Sequence, residues 1–248
     1  MNKTITYAVY NRPTYLALSL DHLIKNDLRN WKIFFSIDPS PETNHILEII
    51  EEKLGKVADY SLKVNETRLG VELNTYTSLA TVFNNESDIN IYLEDDIIVS
   101  PDITQIADWY FTLEKKDMIC LNLLYGSCGG KNHKSSDKEN IFYKTTQFNS
   151  LGYILTKEQW LTYFKDYWIY HDRLDINNPF IAGWDWSIFY HHIKNQKLFT
   201  LQPDYARSNH IGRENGTFCS PMFHDKVFSS IKILSQRKSS DNYKIIDL

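Results

Sequence analysis

The first third of the chain alternates between short apolar runs and longer amphipathic segments, and this alternation restricts the fold more than any other feature. The runs with strand character are Thr4–Val9, Trp31–Ile37, Tyr60–Asn65 and Ile89–Leu93. The segments with helical spacing of apolar residues are Thr14–Lys25, Glu42–Leu54 and Leu73–Phe83. Strands that alternate with helices pair in parallel, because each crossover returns the chain to the same end of the sheet. The sequence therefore predicts an α/β fold with a Rossmann-like, mostly parallel central sheet and helices on both faces.

The alternation is looser after residue 100. The helices predicted there are Asp102–Leu113, Lys157–Phe164 and Asp185–Ile193, and the runs with strand character are Met118–Leu124 and Phe142–Leu155. Residues 126–140 are rich in Gly, Ser, Lys and Asn and predict a loop, whereas the polar tail from Ser235 onward is expected to fray. No clean linker divides the chain, so we expect one domain over residues 1–248.

Polar clusters follow three of the predicted strands. Asn11-Arg12 comes after the first strand, Asp38 after the second, and Glu94-Asp95-Asp96 after the fourth. In open α/β sheets, ligands bind outside the carboxyl ends of the strands, near the switch in strand order. The three clusters therefore predict one shared binding site at this edge of the sheet.

The acidic triplet Glu94-Asp95-Asp96 lies between two strongly apolar runs, Ile91–Leu93 and Ile97–Val99. Burying adjacent carboxylates is costly unless something neutralises them. Mg²⁺ and Mn²⁺ prefer oxygen ligands and are often shared between one or two carboxylates and substrate phosphates. A solvated turn is the alternative, but such a turn more often carries Gly, Asn or Pro than three acids followed by three β-branched residues.

Composition excludes several classes of protein. The formal net charge of -4 and the pI near 6.1 argue against a nucleic-acid-binding protein, which usually has a basic face. No window has the ~18 apolar residues of a membrane span, and the first residues lack the pattern of a signal peptide. The cysteines, Cys120, Cys128 and Cys219, lack metal-type spacing and predict reduced thiols. We expect a soluble, cytoplasmic protein.

Several segments together resemble GT-A fold glycosyltransferases, in particular the N-acetylglucosaminyltransferase I group, which includes the protein O-mannose-linked enzyme. The triplet resembles the Glu-Asp-Asp form of that fold's DxD motif. The other matching segments, in the order of the group, are Asn11-Arg12-Pro13, Ser36-Ile37-Asp38, Leu151-Gly152-Tyr153, Gly183-Trp184-Asp185-Trp186 and the segment 207–216. Together they extend from about residue 5 to residue 230.

The resemblance implies a nucleotide-binding half over about residues 1–100, an acceptor-side half over about 101–235 and a polar tail over 236–248. It implies a UDP-sugar donor, a glycan acceptor and a divalent cation, Mn²⁺ or Mg²⁺. Asp96 would bind the metal directly. The residues expected at the donor nucleotide are Tyr10, Asn11, Arg12, Asp38, Arg68, Asn74, Glu94, Asp95 and Ser208. Gly152 and Trp184 would lie at the acceptor or the transferred sugar.

Asp185 is the expected catalytic base, which an inverting transfer needs to deprotonate the acceptor hydroxyl. Flanking Trp184 and Trp186 would desolvate it and raise its pKa. Helix capping is the alternative reading of Asp185. The group has two adjacent Asp residues where this chain has one, and it has a His where Asn74 aligns. His210 is a further candidate, as a third metal ligand or a diphosphate contact.

Two other functions remain compatible with these residues. A nucleotidyltransferase also combines acids with an α/β fold, but it usually carries a Gly-rich loop with Lys or Arg after the first strand, which Tyr10-Asn11-Arg12-Pro13 lacks. A sugar-nucleotide-binding module without turnover is the other. Three adjacent acids do not form the two groups that flank a bond in a glycoside hydrolase.

Overall fold

The computed structural model describes residues 1–85, 87–125, 138–168, 183–194, 196, 198–214, 216, 219–236 and 242–247. The strands are β1 (Lys3–Val9), β2 (Trp31–Ile37), β3 (Asp59–Val64), β4 (Ile89–Glu94), β5 (Ile97–Val99), β6 (Met118–Asn122), β7 (Ile141–Thr145), β8 (Tyr153–Thr156), β9 (Phe199–Pro203), β10 (Ser208–His210) and β11 (Lys244–Asp247). The α-helices are α1 (Pro13–Leu23), α2 (Thr43–Leu54), α3 (Gly70–Asn84), α4 (Ile103–Thr112), α5 (Lys157–Gln159), α6 (Trp184–Ile188) and α7 (Pro221–Val227). Helix α5 continues as a π-helix over Trp160–Phe164, and α6 continues as another over Phe189–Lys194.

Within the described residues, nine strands form one sheet in the order β11-β7-β9-β6-β8-β4-β1-β2-β3. The block β3-β2-β1-β4 is parallel throughout, whereas β8 runs antiparallel to β4 and to β6. The register aligns Val9 with Ile37, Ala8 with Glu94, and Ile37 with Val64. The carboxyl ends of these four strands therefore meet at one edge, which confirms the predicted mostly parallel sheet.

Helices cover both faces of the sheet, as the sequence predicts. On one face, the apolar sides of α1, α2 and α4 pack on alternate strand residues such as Ile5 and Ile33. On the other face, α3 and the π-helix after α5 pack around Tyr92 and Tyr153. The apolar strand residues are buried on both faces because a parallel sheet has helices on either side. In the described part of the chain, no helix is both long and apolar enough to cross a bilayer.

Three parts of the second half differ from the sequence-based expectation. The predicted strand Phe142–Leu155 is two strands, β7 and β8, because Asn149-Ser150-Leu151-Gly152 interrupts it with a positive φ of 94° at Gly152. Strands β9 and β10 and helix α7 are additional elements. The tail does not simply fray: β11 pairs in parallel with β7, and the Tyr243 ring packs on Trp109 and Phe142. Most of the predicted loop 126–140 lies outside the described residues.

A second, two-stranded sheet joins the end of the chain to the acidic triplet. Strand β10 pairs antiparallel with β5, so that His210 faces Ile97 in the register. The buried Arg207 anchors this strand: its Nε donates to Asp102 Oδ2 at 2.9 Å and its Nη1 donates to the Tyr205 carbonyl oxygen at 2.6 Å. Asp102 also accepts a hydrogen bond of 2.6 Å from Ser100 Oγ. The ion pair therefore fixes where β10 meets the triplet.

Arg207→Met is expected to lower the free energy of unfolding by about 3–5 kcal/mol, because it leaves the Asp102 carboxylate buried without its cation. Urea unfolding followed by tryptophan fluorescence measures the change. Arg213→Met is the control, since Arg213 and its partner Asp225 are both about half exposed, and such pairs contribute little. Equal losses in the two variants would show that the buried pair has no special role in stability.

Candidate active site

Glu94 is the last residue of β4, and Asp95 and Asp96 form the turn to β5 at the edge where the parallel strands end. The apolar residues before and after the triplet are buried in the sheet, so the three carboxylates are held close to the core. Glu94 accepts a hydrogen bond of 3.2 Å from Tyr92 Oη, and Asp95 Oδ2 accepts one of 3.0 Å from the backbone amide of Tyr10. Burial and the negative charge of the neighbouring acids raise the pKa of both carboxyls, and Arg12 opposes this rise.

Asp96 lies at the centre of the site and is only 2% exposed. Its Oδ2 is contacted by Arg12 Nη1 and lies 3.1 Å from His210 Nε2. Its Oδ1 is buried and has no hydrogen-bond partner within the described residues. Burial would raise the pKa of Asp96, but hydrogen bonding and charge from His210, together with Arg12, outweigh burial and lower it. The fold thus keeps an ionised carboxylate in the interior.

The segment after β10 covers Asp96 and Arg12. The Ile211 amide donates to the Asp96 carbonyl oxygen at 2.8 Å. A methyl group at position 212 would overlap the Asp96 carboxylate and come within 2.8 Å of Arg12 Nη1. Gly212 therefore allows the backbone to approach the site closely.

The residues around Asp96 fit a divalent cation that takes most of its ligands from substrate phosphates and water. Asp96 Oδ1 is a buried oxygen that needs a partner, and the imidazole of His210 lies beside the other oxygen. Within the described residues, no three His, Cys, Asp or Glu side chains are grouped as a complete metal site. Mg²⁺ and Mn²⁺ at such sites take one or two protein ligands and complete their shell with phosphate oxygens and water.

A buried polar network lies beyond Asp38, at the end of β2. Asp38 Oδ1 accepts hydrogen bonds from Asn65 Nδ2 (2.9 Å) and the Leu69 amide (3.1 Å), and Oδ2 accepts one from the Gly70 amide (2.8 Å). Asn74 accepts from Ser36 Oγ at 2.6 Å. Asp38 therefore holds the start of α3 in place. The predicted contacts of Asp38 and Asn74 with a nucleobase stay predictions.

Tyr10, Asn11 and Arg68 lie at the open side of the same edge. The Arg68 guanidinium carbon lies 4.2 Å from the centre of the Tyr10 ring, a cation–π arrangement. Arg68 and Asn11 are exposed, and Tyr10 is half-buried. The structure therefore brings Tyr10 and Arg12 next to the triplet and Arg68 against Tyr10, whereas their predicted contacts with the donor nucleotide stay predictions.

Asp185 lies in the first turn of α6. Its Oδ1 accepts a hydrogen bond of 2.9 Å from the Trp186 amide, and its Oδ2 accepts one of 3.3 Å from Ser150 Oγ. The helix begins at Trp184 with Gly183 at the N-cap, so Asp185 is inside the helix rather than at its cap. Burial raises the pKa of Asp185 to about 6, which the hydrogen bonds from Trp186 and Ser150 only partly offset.

Asp185 and the triplet belong to one region of the fold. Tyr92, which donates to Glu94, packs its ring edge-on against Trp184 with centroids 6.5 Å apart. The pKa of Tyr153 is raised by burial and, in addition, by the negative charge of both Glu94 and Asp185. The candidate base and the candidate metal site therefore share the aromatic residues between β4, β8 and α6.

Three predicted site residues are packed into the interior. Trp184 is buried and stacks on Trp168 with centroids 4.2 Å apart and planes 3° apart. Ser208 is fully buried and its Oγ donates to the Leu151 carbonyl oxygen at 2.7 Å. Gly152 packs on Ser208, where an added Cβ would lie 3.3 Å from the serine Cβ. Trp184 and Ser208 are therefore buried, and the predicted contacts of these three residues with the acceptor, the sugar or the nucleotide stay predictions.

Two residues beside Asp185, Ser150 and Glu72, are not predicted by the sequence reasoning. Ser150 lies in the segment that was expected to be one long strand, which hides its place at the site. Glu72 lies in the first turn of α3 and approaches Gly183 from a distant part of the chain. No local pattern marks such a contact, because it depends on how α3 and α6 pack.

A mostly parallel sheet with helices on both faces and an acidic turn at its strand ends is the architecture of GT-A glycosyltransferases. The chain belongs to glycosyl transferase family 2, whose family model matches residues 4–215. No curated protein sequence gives a significant match. The narrower resemblance to the N-acetylglucosaminyltransferase I group is not confirmed by these comparisons.

Solved structures show the same fold at low identity. Residues 1–349 of S. aureus TarS in complex with UDP-GlcNAc match with a TM-score of 0.59 and 14% identity, over 86% of this chain and 60% of that chain. Mannosyltransferase PcManGT from Pyrobaculum calidifontis in complex with GDP-Man and Mn²⁺ matches with a TM-score of 0.57 and 14% identity, over 87% and 58%. GalNAc-T7 with UDP, GalNAc and Mn²⁺ gives a TM-score of 0.59 and 15% identity, over 87% and 45%. The chain thus spans about 60% of the length of the TarS fragment.

Proposed function

We propose that this chain is an inverting, divalent-metal-dependent glycosyltransferase that moves a sugar from a UDP-sugar to a hydroxyl group of a glycan acceptor. The observation that carries the proposal is the environment of Asp96. This buried carboxylate has Arg12 and His210 at one oxygen and no described partner at the other. It lies at the carboxyl ends of parallel strands, where α/β folds bind nucleotides.

Asp96 is the proposed direct metal ligand, with His210 as a second ligand or a contact to the diphosphate. The metal, when bound, supplies positive charge that offsets the charge developing on the leaving diphosphate. The guanidinium of Arg12 donates hydrogen bonds to phosphate oxygens, and Glu94 and Asp95 bind ribose hydroxyls or metal-bound water. The backbone of Ile211 and Gly212 covers Asp96 and excludes water from this side.

Asp185 is the proposed base. It takes the proton of the acceptor hydroxyl as that oxygen attacks the anomeric carbon, and the bond to the diphosphate breaks with its electron pair leaving on the diphosphate. The Trp186 amide and the Ser150 hydroxyl hold the carboxylate in one orientation. A pKa raised to about 6 makes it a better proton acceptor than an ordinary aspartate, yet leaves it ionised at neutral pH.

The donor base is proposed to be uracil. Its ring would lie near Tyr10 and Arg68, with the network of Asp38, Asn65 and Asn74 behind it. The transferred sugar is proposed to be GlcNAc or another hexose. The UDP-GlcNAc in the TarS structure and the Mn²⁺ in the PcManGT and GalNAc-T7 structures support this choice of ligands.

The rate of transfer is expected to fall as the pH drops below about 6. Asp185 must be ionised to accept a proton, and its pKa is raised to about 6, so protonation removes the base from that pH downward. A pH profile of kcat at saturating donor measures this fall in rate, which is the acidic limb of the profile. Calorimetric binding of the nucleotide diphosphate at each pH separates it from loss of the donor. A rate that stays level to pH 5 would exclude Asp185 as the base.

A panel of nucleotide-sugars tests the proposal as a whole. With Mn²⁺ present, the chain is expected to hydrolyse or transfer from one UDP-sugar much faster than from GDP- or CDP-sugars. The same reactions with EDTA are the control. Absence of nucleotide diphosphate binding in calorimetry with Mn²⁺ and with Mg²⁺ would refute the proposal. Tight donor binding without hydrolysis or transfer to any acceptor would indicate a binding module.

A further inference from the structure

Glu72 faces Asp185 across Gly183. Gly183 has a φ of 95°, and a Cβ placed on it would lie 3.1 Å from Glu72 Oε1 and 3.3 Å from Asp185 Oδ1. Two carboxyl oxygens thus border the space that a side chain at position 183 would fill. Glu72 is only 7% exposed, so little water screens the interaction between these two groups.

The backbone around Glu72 is fixed to α6 by two indole rings. Trp168 Nε1 donates a hydrogen bond of 3.2 Å to the carbonyl oxygen of Glu72. The same indole stacks on Trp184, the residue before Asp185. The first turn of α3 is therefore held against the first turn of α6, and the approach of the two carboxylates is built into the packing of the fold.

We propose that Glu72 is a positioning residue for sugar transfer, which acts through Asp185 by favouring the protonated carboxyl that forms when the acceptor hydroxyl gives up its proton. This inference rests on the proposed role of Asp185 as the base. In the transfer step, the proton moves from the acceptor oxygen to Asp185 and the negative charge of Asp185 disappears. Because the Glu72 carboxyl group lies beside it, losing the charge of Asp185 relieves the repulsion between the two acids, and the proton transfer becomes easier.

Apart from Glu72, the groups that face Asp185 within the described residues are uncharged hydrogen-bond donors and a phenol. Its own helix contributes the Trp186 amide, and the segment before β8 contributes the Ser150 hydroxyl. Strand β8 contributes the phenol of Tyr153, whose pKa burial raises well above its ordinary value, so this group stays neutral. Helix α3 contributes Glu72, whose charge raises the pKa of Asp185 beyond the effect of burial.

The test compares wild type with Glu72→Gln, which removes the charge and keeps the shape. Carbon-13 labelling of Asp carboxyl groups, with the Asp185 signal assigned from Asp185→Asn, gives the titration midpoint of Asp185 without any need for an acceptor. We expect Glu72→Gln to lower this midpoint by about half a pH unit or more. Glu158→Gln, an exposed acid on α5, is the matched control and should leave the midpoint unchanged.

Turnover is the second readout. In Glu72→Gln, the acidic limb of the kcat profile should move to lower pH, kcat at neutral pH should fall several-fold, and the KM for the donor should stay the same. Glu72→Asp, which keeps the charge, should regain part of the lost rate. If Glu72→Gln does not fold, Glu72→Met takes its place as the uncharged variant.

An unchanged Asp185 midpoint would overturn the proposal, as would a uniform loss of rate at every pH or a raised donor KM with an unmoved limb. The last result would mean that Glu72 binds the sugar. A different result would refute the proposed function. If Asp185→Asn were fully active, Asp185 would not be the base, whatever the titration midpoint of Asp185 in wild type.

Discussion

Asp96→Asn is expected to reduce Mn²⁺-dependent sugar transfer by about a thousand-fold or more, because the proposed metal ion contributes several kcal/mol to stabilising the leaving diphosphate. Asparagine nearly matches the shape of Asp96 but removes the charge that Arg12 and His210 contact in the interior. Calorimetry with Mn²⁺ should show the loss at the binding step, since the nucleotide diphosphate binds largely through the metal.

Asp225→Asn is the matched control for this variant. Asp225 is half-exposed and pairs with Arg213, so removing its charge should leave both binding and transfer unchanged. Asp95→Asn tests the proposed division of roles within the triplet and should cost less than Asp96→Asn. Wild-type turnover by Asp96→Asn would place the metal, or the reaction, elsewhere.

Asp185→Asn is expected to lower kcat by about a hundred- to ten-thousand-fold, the usual contribution of a positioned base. The amide oxygen can still accept the hydrogen bond from the Trp186 amide, so the start of α6 should keep its geometry. Donor affinity should therefore stay within the experimental error of wild type, and single-turnover measurements with bound donor should show the loss in the chemical step.

Asp166→Asn serves as the control, because Asp166 is an exposed acid in the same part of the chain. A parallel fall of donor affinity in Asp185→Asn would indicate a structural role for this residue. A product that retains the anomeric configuration of the donor would exclude the mechanism with a single base.

The first part of the chain, through β4, was predictable because its signals are local. Apolar runs such as Trp31–Ile37 and amphipathic segments such as Glu42–Leu54 each specify their own element, and the connection order then dictates a parallel sheet. The position of Asp96 and Arg12 at the strand ends follows from that order. The sequence predicts His210 either as a metal ligand or as a contact to the diphosphate. The structure places it beside Asp96, and metal binding by His210 stays a prediction.

The second half was less predictable because its elements depend on partners. Strand β10 has the polar sequence Ser-Asn-His and exists because β5 and the Arg207–Asp102 pair hold it. The resemblance places Trp184 at the acceptor or the sugar, but its stack with Trp168 depends on tertiary packing and could not be predicted from the sequence. The position of Glu72 beside Asp185 could not be predicted either, because it depends only on tertiary packing.

The contact between Asp96 and the strand that carries His210 also bears on how the protein reaches its working state. Arg12, Asp96 and His210 come from the beginning, the middle and the end of the chain, and closing loops of this length is slow compared with forming helices. On a ribosome, the first half can assemble its parallel sheet while the residues that cover Asp96 are still being synthesised. If the proposed function holds, competence to bind the sugar donor should therefore arise only after His210 and the residues that cover Asp96 have been synthesised.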